Sequence, residues 1–118
     1  MKLAIPLKTN KEDSAISPLF GKAKYFAFIN GSNIKIEKNE LKSGSSIVDW
    51  FKSKGVEAVI VQSLGYSPYE MLRESGIEIF YAGDGRVLLK DVLERLKRGE
   101  LSLVDDTNIN KLIKHKHK

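Results

Sequence analysis

Three stretches of this 118-residue chain carry residue types that could hold a ligand. The first is Ser17-Pro18-Leu19-Phe20-Gly21-Lys22-Ala23-Lys24-Tyr25-Phe26, lying between two strand-like runs. It sets a phenylalanine beside a glycine, which a connection that only turns does not need. The second is Gly65-Tyr66-Ser67 and the third Gly83-Asp84-Gly85-Arg86. Glycines admit a ligand close to the backbone, and Lys22 and Arg86 put positive charge beside them. The candidate binding residues are therefore Ser17, Phe20, Gly21, Lys22, Gly65, Tyr66, Ser67, Gly85 and Arg86. Several have a plainer alternative: the glycines as turn formers, Ser67 as a helix cap, Phe20 as a plug on the core, the cations as solvated charges. At the C-terminus His115 and His117 alternate with lysines. Extended, they would present both imidazoles on one side as a weak transition-metal site; the alternative is a solvated basic tail.

Catalytic groupings are scarce. There is no cysteine, which removes thiolate nucleophiles, disulfides and thiolate ligation of a cluster. Both histidines sit in the tail, so a Ser/His/Asp triad in the core has none to use. No Gly-x-Ser-x-Gly elbow and no phosphate-binding Gly-Lys-Ser/Thr loop occurs. The first strand, Lys2-Leu3-Ala4-Ile5-Pro6, lacks the acids of a two-metal nuclease. Asp84 reads as a cap for the third helix or as a general base. The pattern argues for a non-catalytic protein.

The net charge of +5 favours anionic partners. Much of that excess lies in the tail, so nucleic acid is not the expected partner. No apolar run approaches the roughly 20 residues of a membrane span, and nothing resembles a signal peptide. The expectation is a cytoplasmic protein of one domain over residues 1–104, with a polar, basic and mobile tail over 105–118.

The elements that must position these residues follow from periodicity. Strand-like runs occur near 2–7, 25–29 and 34–37, the last two joined by the turn signal Asn30-Gly31-Ser32-Asn33 as a hairpin. Pro6 ends the first strand or sets it near an edge. The period then changes to 3.6. Ser46 is the expected cap of a first helix carrying Ile47, Val48, Trp50 and Phe51, with Gly55 past its end. Ala58-Val59-Ile60-Val61 reads as a buried parallel strand. Ser67-Pro68-Tyr69-Glu70 reads as a capping box opening the second helix. Ile77 to Tyr81 gives a fifth strand, and Val87 to Leu96 an amphipathic third helix.

The expected fold is α/β, in the order βββαβαβα. Right-handed crossovers make a five-stranded mixed sheet of order 3-2-1-4-5, with strand 2 antiparallel and three helices. Ligands bind such sheets outside the carboxyl ends of the parallel strands. The loops 8–22, 63–67 and 82–86 emerge there. With two helix N-termini aimed at the same rim, the expectation is an anion-receptive cleft with an aromatic wall.

The pattern resembles the dinitrogenase iron–molybdenum cofactor biosynthesis family, which includes NifX, NafY and the C-terminal domain of NifB. The resemblance covers about residues 1–103. It rests on Lys2-Leu3-Ala4-Ile5-Pro6, the stretch from Ser17 to Phe26, Gly65, Leu72 with Gly76-Ile77, and Gly99-Glu100-Leu101. It implies a ribonuclease-H-like motif and a non-catalytic protein that binds an iron–sulfur or iron–molybdenum cluster and exchanges it with cluster donor or acceptor proteins. Members often carry a histidine directly before the Phe-Gly pair; here that position is Leu19, which offers no ligand. Binding would then rest on Lys22, Arg86, backbone N–H groups and the tail histidines. The alternative reading is a basic module that binds nucleic acid or a protein through its tail and hairpin edge.

Overall fold

A computed structural model describes residues 1–112, with side chains through Lys111; His115 and His117 lie outside the described residues. The elements run β1 (Lys2–Leu7), β2 (Tyr25–Asn30), β3 (Asn33–Lys38), α1 (Gly44–Ser53), β4 (Ala58–Val61), α2 (Tyr66–Glu74), β5 (Glu78–Tyr81), α3 (Leu89–Lys97), β6 (Ser102–Leu103) and α4 (Ile109–Leu112). One sheet has the order β3-β2-β1-β4-β5-β6. Strands β1, β4 and β5 are mutually parallel, and β2 is antiparallel to β1 and to β3.

The expected order is thus observed for the first five strands, but the described residues form six strands and four helices rather than five and three. The addition is β6, whose Leu103 and Ser102 pair antiparallel with Phe80 and Tyr81. Ser102-Leu103 is too short for a period to be read from its sequence.

Alternation along the strands builds two cores. Ala4, Phe26, Phe28, Val59 and Ile79 face Ile47, Val48 and Phe51 of α1 and Tyr69 and Leu72 of α2. Leu3, Ile5, Ala27, Ile29 and Ile60 face Leu89 and Val92 of α3 on the other side. The layers are helix, sheet, helix. The first core is aromatic, with Phe26, Phe28 and Phe51 in edge-to-face contacts at 5.1–5.8 Å, a geometry that ring quadrupoles favour.

Pro6 lies in a central strand, not near an edge. It is tolerated because the β1–β4 register covers only Leu3 and Ala4. Beyond it the loop takes over: the Ser17 N–H donates to the Pro6 carbonyl at 2.9 Å and Leu7 bridges Ile16. A proline costs a donor, not an acceptor.

Two helix starts differ from expectation. Ser43, not Ser46, caps α1, its Oγ accepting from the Ser46 N–H at 3.1 Å. Gly65 is the cap residue of α2, which puts Ser67 and Pro68 inside its first turn, where a proline loses no helical bond.

The packed chain also runs past the point where a mobile tail is expected to begin. Val104 is fully buried and Ile109 is buried among the residues of the α1/α2 core. Between them Asp105 accepts from the Thr107 N–H, and the Asn108 side chain caps back onto the Asp105 N–H and the Leu103 carbonyl. Local side-chain bonds of this kind order a turn that composition marks only as polar.

Candidate functional site

Beyond the carboxyl ends of β1, β4 and β5 lies an open cleft of about 540 Å³. Its walls come from the three loops expected there and from α4. Lys8, Pro18 and Leu19 come from the chain after β1, Gln62 and Ser63 from the chain after β4, Tyr81, Asp84, Gly85 and Arg86 from the end of β5 and the loop after it, and Lys111 from α4. Among the described residues, three cations line the cleft with one carboxylate.

The loops are tied to each other. The Gln62 side-chain amide donates to the carbonyls of Gly83 and Gly85, both at 2.8 Å. That turn needs positive φ at Gly83 (94°) and Gly85 (79°), a region L side chains avoid. Ser63 donates to the Pro18 carbonyl, and Ile16 donates to the Val87 carbonyl at 2.8 Å. The cleft is built by hydrogen bonds before any ligand arrives. Tyr81 donates to Asp84, and burial, with that bond and the Asp84 charge behind it, pushes the phenol up to about 12. It remains neutral at physiological pH and adds no negative charge.

Of the nine candidate residues, Gly85 and Arg86 line this cleft. Ser17 is buried, its hydroxyl bonded to the Leu19 backbone. Phe20 is only 2 % exposed and packs edge-on against Phe26 and Phe51, so the expected aromatic wall is core instead. Lys22 is exposed and away from the lining. Gly21 and Gly65 answer to packing: Gly21 comes close to the Gly44 backbone, and both Gly65 and Gly44 lie against the Pro68 ring. A Cβ on Gly44 would come within 2.8 Å of Pro68 Cγ. Ser67 sits exposed in α2, and Tyr66 faces a different cleft beside Tyr69, Arg73 and Asp106.

The expected pair of helix N-termini is also revised. The Leu89 N–H at the start of α3 donates to the Ser14 carbonyl at 3.0 Å, so that end is plugged by the first loop. Leu88, not Asp84, occupies its cap position. Lys8, Gln62, Tyr81, Ser63 and Lys111 are cleft residues that sequence reasoning did not single out. The first three sit at or next to strand ends, which marks them once the topology is known; nothing in the sequence ties Lys111 to the cleft.

Among the described residues no group of three or more His, Cys, Asp or Glu is placed to hold a metal ion. The cleft offers hard nitrogen and oxygen groups and positive charge, a donor set suited to the outer atoms of an anion and unsuited to displacing sulfur from iron. Nor, among those residues, is any helix long and apolar enough to cross a membrane.

The family model for the dinitrogenase iron–molybdenum cofactor matches residues 1–99. The chain belongs to that family. A curated relative is the uncharacterized protein MJ0580 of Methanocaldococcus jannaschii, 27 % identical over 92 residues, or 70 % of this chain and 75 % of that one. Two solved structures share the fold. A Thermotoga protein, TM1290, described as a candidate NifB protein of the DUF35 family, superposes with a TM-score of 0.75 at 23 % identity, over 86 % of this chain and 91 % of its own. The apo form of the orange protein from Desulfovibrio gigas gives 0.78 at 14 % identity, over 87 % and 92 %.

Proposed function

We propose that this protein is a non-enzymatic binder or carrier of an anionic metallocluster of the iron–sulfur or iron–molybdenum cofactor type, received in the cleft between residues 8–19, 62–63 and 81–86. The observation that carries the reading is the convergence of Lys8, Arg86 and Lys111 on a cleft with one carboxylate among the described residues, Asp84, in a chain of a family tied to that cofactor. Opposite charges in a partly dehydrated cleft attract far more than in open water. The cluster is cargo: it is held by charge and hydrogen bonds to its outer atoms, with Leu19 supplying contact and no metal ligand. Weak, outer contact suits a protein that must give its cargo up, and cluster donors and acceptors are the partners this implies. The sheet corresponds to a ribonuclease-H-like motif over its first five strands, with β6 as an added edge.

Anaerobic titration with isolated iron–molybdenum cofactor, and separately with an iron–sulfur cluster, tests the reading. Binding is expected to shift the cluster's absorption, to comigrate on gel filtration, and to weaken about tenfold in R86Q, the cost of one charge-assisted contact. No comigration of either cluster overturns it.

The alternative, binding of nucleic acid through the tail, predicts loss of that binding when the tail is cut. The cut must remove 113–118 and spare what precedes it, because Ile109 belongs to the core and Lys111 to the cleft.

A further inference from the structure

The long free edge of the sheet is β3, with no strand beyond it among the described residues. Its pairing with β2 closes at Asn30↔Asn33 and continues through Phe28↔Lys35 and Phe26↔Glu37, and the Asn39 N–H then donates to the Lys24 carbonyl at 2.9 Å. In an antiparallel ladder, alternate residues turn their N–H and C=O groups inward and outward. Asn33, Lys35 and Glu37 are therefore spent on β2, while Ile34, Ile36 and Lys38 present theirs to the outside.

We infer that β3 pairs antiparallel with β3 of a second copy of this chain, about a two-fold axis at Ile36. Outward residues must meet outward residues, which leaves few registers. Centring the axis at residue 35 sets Lys35 against Lys35, and centring it at residue 37 sets Glu37 against Glu37. Centring it at Ile36 uses all three outward residues and sets Lys35 of each copy opposite Glu37 of the other. Those two residues form the non-hydrogen-bonded kind of pair, whose side chains stand closest. Lys54 holds Oε2 of Glu37 at 2.6 Å, leaving Oε1 for the incoming ammonium. On the opposite face Ile34 and Ile36, half-buried against the α3-side core, extend that apolar surface across the junction. Lysines on an edge strand ordinarily oppose such pairing. Here Lys35 is matched, and Lys38 can lay its stem along Ile34 of the second copy. A two-fold contact of this kind closes on itself as a dimer, and it leaves the ligand cleft, beyond β1, β4 and β5, open on both copies.

The contact is small, so the expected dissociation constant is roughly 0.1–1 mM. Sedimentation equilibrium of the full chain over that range should show monomer passing to dimer. K35E should raise the dissociation constant at least about tenfold by setting like charges opposite one another. E37K should do the same, and an equimolar mixture of the two variants should recover a heterodimer. Circular dichroism shows whether each variant is folded, and amide exchange offers a readout without mutation: the Ile36 and Lys38 amides gain protection with concentration while Lys35 and Glu37 do not change. A wild-type chain that stays monomeric at millimolar concentration overturns the inference. So does a dimer indifferent to K35E and to the mixed pair.

Discussion

Phe20 and Arg86 show how one short loop and its neighbour divide their duties. Phe20 is chemically the more conspicuous of the two, yet its ring is in the aromatic core with Phe26 and Phe51, and Arg86 faces the cleft. Phe20→Ala is accordingly expected to cost about 3–5 kcal/mol of stability through lost burial and the cavity left behind. Urea unfolding monitored by circular dichroism reads that loss, and a cost under about 1 kcal/mol would contradict a core role. Tyr69 gives a second expectation. Burial first, then its hydrogen bond to Asp106 and that residue's charge, push its phenol from 10.0 up to about 12. A group whose folded pKa is raised stabilises fully below its unfolded pKa and loses that contribution as pH climbs through the folded one. The Tyr69 contribution therefore fades between about pH 10 and 12. In Tyr69→Phe the fall in melting temperature across that window should be shallower than in the unsubstituted protein; identical slopes would show that the phenol is not the group responsible.

At the scale of elements, the decisive piece is the segment from β6 to α4. It is short and polar, but it seats Val104 and Ile109 in the α1/α2 core and brings Lys111 to the cleft. Ile109→Ala should destabilise by about 2–4 kcal/mol. Truncation after Val104 should cost at least as much. If that truncation left the melting temperature unchanged, α4 would not be part of the packed structure.

For the whole molecule, one sheet separates two apolar layers, and β1, β2, β4 and β5 each contribute to both. Neither layer can be lost alone without exposing the far face of shared strands. Unfolding should be a single transition: Trp50 fluorescence, which reports the α1 side through its contacts with Phe26 and Phe28, should coincide with far-ultraviolet circular dichroism. Separated midpoints would mean that the α3 layer melts independently.

What the sequence alone determined was periodicity and punctuation: the first five strands and their order, the hairpin at Gly31, the three longer helices, and the end of the sheet where loops gather. These are legible because alternation, 3.6-residue stripes and glycine turns are local, and because parallel crossovers have one hand. The residues that form the cleft were legible only in part. Gly85 and Arg86 were named, while Phe20, Ser17 and Gly65 were drawn into the core and into helix packing. A loop side chain can turn inward or outward at equal sequence cost, and that choice depends on whether a space such as the one beside Phe51 is there to receive it. The same holds for Pro6, which a central strand accepts because the loop that follows it folds back to stand where the neighbouring strand is missing. Lys8, Gln62 and Lys111 converge through contacts between segments far apart in the chain, and only the tertiary structure sets those.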